Sequence, residues 1–185
     1  MTGVFGGAFD PPHNGHVALA QAALEKLGLD RLIVLVASQP GHKPVETPVD
    51  DRLALARLAF ADLPRTEVVR DDHAFTIDLL RTEAYRDALL LIGADQLAAF
   101  LSWKEPREVL DRIRLAVATR PGFAREQLDP VLEELGRPGR VEFFEIPAVA
   151  ASSSGVRERV REGAPIDDLV PVAVAREIDR RGLYR

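Results

Sequence analysis

The sequence predicts an α/β fold of the doubly wound type: a mostly parallel sheet flanked by helices, with a smaller helical part at the C-terminus. Three observations carry that class. Continuous apolar runs recur at Leu32-Ile33-Val34-Leu35-Val36-Ala37, Leu89-Leu90-Leu91-Ile92 and Leu115-Ala116-Val117-Ala118-Thr119, as strands buried on both faces of a parallel sheet require. Between them, apolar residues return every three or four positions, the spacing of amphipathic helices. Short polar or glycine-containing loops follow the runs at once, where an open α/β sheet places its ligand crevice.

Composition sets the outer bounds. A chain of 185 residues, 46% apolar and 29% charged, suits one soluble domain over residues 1–185. Neither a membrane span nor a signal peptide is indicated. The chain has no cysteine, which excludes disulfides and thiolate chemistry and suits the cytoplasm. A net charge of −5 argues against broad nucleic-acid binding, which wants a basic surface. Any phosphate ligand therefore needs local positive charge.

The first element is the short apolar run Gly3-Val4-Phe5, followed by a turn on Gly6 and Gly7. Glycines there allow positive φ and close approach to a ligand. Val17, Ala20, Ala23, Leu24 and Leu27 line one face of a helix that Gly28 stops. His13 and His16, three apart at its start, can point the same way. The free N–H groups and positive dipole end of such a helix favour anions. Two ordinary surface histidines are the plain alternative; a zinc set lacks cysteine or clustered carboxylates to complete it.

The strand at 32–37 completes a β-α-β unit, and its loop holds His42 and Lys43, the lysine a candidate phosphate ligand or a solvated side chain. Asp50 or Asp51 is expected to cap a helix with Leu53, Leu55, Ala56, Leu58 and Ala59 on its apolar face. Arg52 is left outside the site. Val68-Val69 reads as a short strand, and Thr76 as the N-cap of the next helix. After the strand at 89–92, Gly93 permits close approach, and Asp95 either accepts from a ribose or caps a helix from Gln96. Trp103, the single tryptophan, reads by default as partly buried packing.

A helix at 109–113 precedes the strand at 115–119, which ends in an Arg120-Pro121-Gly122 turn. Arg120 suits a phosphate or a surface carboxylate equally. An acidic amphipathic helix at 126–135, a turn at 136–140 and a last strand at 141–146 follow. Ser152, Ser153 and Ser154 open another helix, with Arg157 one turn in and able to reach the same anion. An N-cap with a surface arginine is the simpler account of that stretch. Val174, Ile178 and the closing Gly182-Leu183-Tyr184-Arg185 read as a packing helix and tail.

A strand, a Gly-Gly turn and His-x-Gly-His opening a helix resembles the nucleotidyltransferase superfamily. The local sequence Gly-Gly-Ala-Phe-Asp-Pro-Pro-His-Asn-Gly-His is similar to that of bacterial nicotinate-nucleotide adenylyltransferases. The resemblance continues through His42-Lys43, Gly93-x-Asp95, the Trp103 segment, Arg120-Pro121-Gly122 and the serine-arginine stretch, and so spans almost the whole chain. Ala8, Gly41, Phe75, Leu79, Ala151 and Ser154 depart from the family pattern.

The resemblance implies transfer of AMP from ATP to nicotinate mononucleotide. It implies catalytic roles for His16, His13, Lys43 and Arg157. ATP contacts are implied for Gly6, Gly7, Ala8, Phe9, His13, Gly15, His16, Gly93, Asp95, Ser152, Ser153, Ser154 and Arg157. Acceptor contacts fall to His42, Lys43, Thr76 and Trp103. Mg²⁺ is expected to arrive with ATP, held by phosphates and waters rather than by protein ligands. Partners are expected to be small molecules, with no nucleic acid and no membrane; a homo-oligomer stays open. Phosphopantetheine or nicotinamide mononucleotide as acceptor, and a non-catalytic nucleotide sensor, are the rival readings.

Overall fold

The structure, a computed structural model, describes residues 1–41 and 45–185; the expectations for His42 and Lys43 lie outside the described residues. Six strands form one parallel sheet: β1 (Thr2–Gly7), β2 (Arg31–Ala37), β3 (Thr66–Asp71), β4 (Leu89–Gly93), β5 (Arg114–Thr119) and β6 (Val141–Glu145). Their order is β3-β2-β1-β4-β5-β6. The chain runs outward from β1 to β3, then returns beside β1 as β4 and runs outward the other way. That reversal opens a crevice beyond the carboxyl ends of β1 and β4, the place where such sheets bind ligands.

Strand side chains alternate between two cores, one on each side of the sheet. On one side Phe5, Val34, Val36, Leu89, Leu91 and Ala116 pack against α1 (Asn14–Lys26), α2 (Val49–Ala59), α7 (Ser153–Arg161) and α8 (Val172–Arg181). On the other, Val4, Ile33, Leu35, Leu90, Ile92 and Val117 meet α3 (Thr76–Leu80), α4 (Ala94–Ala98), α5 (Pro106–Arg112) and α6 (Asp129–Leu135). The edge strands β3 and β6 are only partly covered, which explains why their apolar patterns are weaker in sequence. Among the described residues, no helix is long and apolar enough to cross a membrane.

Gly28 ends α1 as expected, in the left-handed region at φ +60°. Several other local expectations are corrected. Gly6 and Gly7 do not turn: they are the last residues of β1, Gly7 paired with Val36, and the turn falls after them. Pro48, not Asp50 or Asp51, precedes α2, leaving the two aspartates in its first turn, where they still favour the dipole. Phe75 rather than Thr76 is the N-cap of α3, without a side-chain bond. Asp95 lies inside α4, which Gly93 caps. The segment at 126–135 divides into a 3₁₀ turn (Arg125–Leu128) and α6, with Pro130 in the first turn of α6, where a missing N–H costs nothing.

Candidate active site

The site is built on the loop after β1. A Cβ at Gly7 would lie 3.0 Å from Cε2 and Cζ of Phe9, so glycine leaves room for that ring. Phe9 takes the left-handed conformation (φ 49°) and turns its ring inward against Phe5 and Phe60, with centroids at 5.4 and 5.7 Å. Its side chain is core; only its backbone is available to a nucleotide.

His13 is the N-cap of α1, and the two histidines form a reciprocal capping box. Gly15 N–H donates to His13 Nδ1 at 3.1 Å, and His13 N–H donates to His16 Nδ1 at 3.2 Å. The rings stack with centroids 3.7 Å apart, and Phe9 meets His16 edge-on at 5.0 Å. Because each Nδ1 accepts, the proton of each neutral ring sits on Nε2, the nitrogen directed away from the helix backbone. Burial, reinforced by the positive charge of Arg120, lowers the His13 pKa from 6.5 to about 4. His13 is therefore a neutral donor at pH 7. Glycine at 15 leaves room for the His13 ring, since a Cβ there would stand 3.0 Å from Nδ1 and Cε1 of His13.

One expectation about this helix start is overturned. Its backbone N–H groups are not open to an anion: Asn14 N–H donates to the Leu169 carbonyl at 2.8 Å, Gly15 N–H is held by His13, and His16 N–H bonds the His13 carbonyl.

The serine-arginine stretch lies on the same loop. Ser153 Oγ donates to the Pro11 carbonyl at 2.8 Å, and an Arg157 guanidinium nitrogen donates to the Asp10 carbonyl at 2.8 Å. Ser152 caps α7 by accepting from Gly155 N–H, and its Oγ lies 3.3 Å from that of Ser154. Arg157 also bonds the Glu46 carboxylate at 2.9 Å, and Arg161 pairs with the same carboxylate. An open groove of about 440 Å³ runs alongside, bordered by Arg120, Ala151, Ser152, Gly155 and Leu169.

Sequence reasoning left Arg52 outside the site and missed Asp10 and Tyr184, the other members of a buried polar frame beneath this loop. Arg52 is fully buried, and its guanidinium donates to the carbonyls of Thr47, Ala8, Ala37 and Ser38 at 2.6 to 3.0 Å. Asp10, also buried, accepts from Glu46 N–H at 2.7 Å and from the Tyr184 hydroxyl at 2.8 Å. A signal for Arg52 was present: it precedes Leu55, Ala56 and Ala59 by three, four and seven positions, which places it on their buried face.

On the other side of the crevice, Gly93 ends β4, and a Cβ on it would collide with Asp95 Oδ1 at 2.5 Å, so the glycine seats that exposed carboxylate at the strand end. Trp103 is half-buried, its ring 4.9 Å from Phe100. Thr76 begins α3 beside the exposed ring of Phe75, which Lys104 covers at 4.8 Å. Gly41 lies against Phe75, where a Cβ would come within 2.7 Å of the ring. Among the described residues no group of three or more His, Cys, Asp or Glu side chains could hold a metal.

A six-stranded parallel sheet in this order, with a His-x-Gly-His helix start at its reversal point, defines a nucleotidyltransferase of the α/β class. The cytidylyltransferase-like family model matches residues 4–159. Proteins from Roseiflexus castenholzii and Symbiobacterium thermophilum, both named "Probable nicotinate-nucleotide adenylyltransferase", are 37% and 38% identical, covering 100% and 98% of this chain and 98% and 93% of their own. The chain thus belongs to the cytidylyltransferase-like family and, within it, to the nicotinate-nucleotide adenylyltransferases. In fold it is similar to the Plasmodium falciparum nicotinic acid mononucleotide adenylyltransferase complexed with NaAD, with a TM-score of 0.78 and 16% identity over 99% of this chain and 96% of that one.

Proposed function

We propose that this protein transfers AMP from ATP to nicotinate mononucleotide, giving deamido-NAD and pyrophosphate. The observation that carries the proposal is the meeting of two distant stretches, His13 to His16 and Ser152 to Arg157, on one loop at the point where the sheet order reverses. Full-length relatives bearing the adenylyltransferase name support the choice of acceptor.

In this reaction a phosphate oxygen of the acceptor attacks the α-phosphorus of ATP, and the bond to the bridging oxygen breaks to release pyrophosphate. The nucleophile is already an anion and needs no strong base. What the protein supplies is alignment and compensation of charge. We assign His16 to the α-phosphate and the transition-state oxygens, where its Nε2–H donates. To the β,γ side we assign His13, Lys43 and Arg157, with Ser152, Ser153 and Ser154. Gly93 and Asp95 lie with the adenosine, while His42, Thr76 and Trp103 serve the acceptor. A pyridinium ring over the Trp103 indole is favoured by charge and π contact.

Mg²⁺ enters with the triphosphate as part of the substrate, held by phosphates and waters, which suits an ion that keeps much of its hydration. Working on free nucleotides, the enzyme is expected in the cytoplasm.

Pyrophosphate release with ATP plus nicotinate mononucleotide tests the proposal, with nicotinamide mononucleotide and phosphopantetheine run in parallel. Turnover with nicotinate mononucleotide at the highest kcat/KM is expected. Binding of ATP without pyrophosphate release from any acceptor would reject it.

A further inference from the structure

The mechanism above makes no use of the chain's penultimate residue, yet the structure ties it directly to the catalytic loop. Tyr184 is buried, and its hydroxyl donates to Asp10 Oδ1 at 2.8 Å, a contact spanning 174 positions. Burial, with the Asp10 carboxylate beside it, pushes the Tyr184 pKa well above its ordinary value, so the hydroxyl keeps its proton and remains a donor.

Asp10 is the point at which several segments meet. Its other carboxylate oxygen accepts from Glu46 N–H, and its backbone carbonyl accepts from Arg157. Glu46 in turn bonds the Arg157 guanidinium. The buried Arg52 guanidinium stands nearby, its charge balanced in part by Asp10. The Asp10 side chain thus has two firm partners, and one of them comes from the end of the chain.

We propose that Tyr184 is a positioning residue for the triphosphate side of the site, acting through Asp10 to fix Arg157. Without the hydroxyl, one oxygen of a buried carboxylate loses its donor, and the side chain must turn to find another. Its turning shifts the Asp10 carbonyl and, through the Glu46 amide that it holds, the Glu46 carboxylate, the two groups that accept from Arg157. Of the residues assigned to the acceptor, Thr76 opens α3 and Trp103 packs with the core on the opposite face of the sheet from Tyr184. The proposal rests on the assignment of Arg157 to the phosphates.

Tyr184→Phe keeps the buried ring and removes only the hydroxyl. About a tenfold loss in kcat/KM for ATP is expected, with KM for nicotinate mononucleotide changed less than twofold. In an Arg157→Ala background the same substitution should add less than twofold, because the two act as a unit. Asp10→Asn, which presents an amide to Tyr184 or Glu46, should reproduce the ATP-side loss and gives a second route if Tyr184→Phe folds poorly. Unchanged kinetics in folded Tyr184→Phe, losses that multiply in the double variant, or equal damage to both substrates would overturn the proposal. An inactive wild-type enzyme would instead sink the function assigned above.

Discussion

His13 and His16 do two jobs with two nitrogens each. Nδ1 closes the helix start, and the proposed function gives Nε2–H the role of donor to the developing negative charge. Replacing His16 by Ala removes the donor assigned to the transition state, and kcat should fall by roughly 10²–10³-fold; a steady-state assay with kcat unchanged would take His16 out of that role. His13 makes a separate prediction in pH. Its folded pKa, about 4, lies below the unfolded value of 6.5, so between these values the unfolded chain binds the extra proton. Stability from the neutral ring is therefore complete above 6.5, is lost as pH falls towards 4, and changes no further below that. NMR titration of the imidazole should find the midpoint near 4, and Arg120→Ala should move it upward, because Arg120 contributes to the depression. A midpoint near 6.5 in the wild type would show that the ring is not buried as described.

At the scale of elements, α2 matters for the single charged residue on its buried face. Arg52 donates to four carbonyls belonging to the loop after β1, the end of β2 and the entry to its own helix. Arg52→Ala leaves those acceptors buried without a donor, and urea unfolding should show a loss of roughly 3 kcal/mol or more. Arg52→Lys should recover only part of it, since an ammonium cannot reproduce the planar fork. The elements themselves were readable because burial on both faces leaves its mark in runs such as 32–37 and 115–119, and because Gly28 must follow a helix in the left-handed region. The caps were less readable. Asp50, Asp51, Thr76 and Asp95 all have the chemistry of an N-cap, but the caps fall one to three residues earlier: on Pro48 for α2, on Phe75 for α3, and on Gly93 at the end of β4 for α4. The closed amides of α1 were illegible for a different reason: Leu169, which takes one of them, is 155 positions away, and no local pattern announces such a partner.

For the whole molecule, the reversal of strand order decides which residues can share a site. The helices assigned to the triphosphate side, α1 and α7, lie on one face of the sheet, whereas α3, which Thr76 opens, and Trp103 pack on the opposite face. That division was partly legible through the family resemblance, which picked out the histidine and serine motifs; by spacing alone each also reads as an ordinary helix start. Tyr184 read only as packing in the sequence, because its partner Asp10 sits at the far end of the chain. Two faces imply two separable kinetic effects. Trp103 is half-buried against Phe100, so its indole has both a packed side and an open one. Trp103→Ala should raise KM for nicotinate mononucleotide by about tenfold or more, the scale of a lost aromatic stack, while KM for ATP stays within twofold. Trp103→Phe, which keeps a ring against Phe100, should recover much of the acceptor affinity. If both Michaelis constants rose together in Trp103→Ala, the two faces would be acting as one body, and Trp103 would be holding the fold rather than the acceptor.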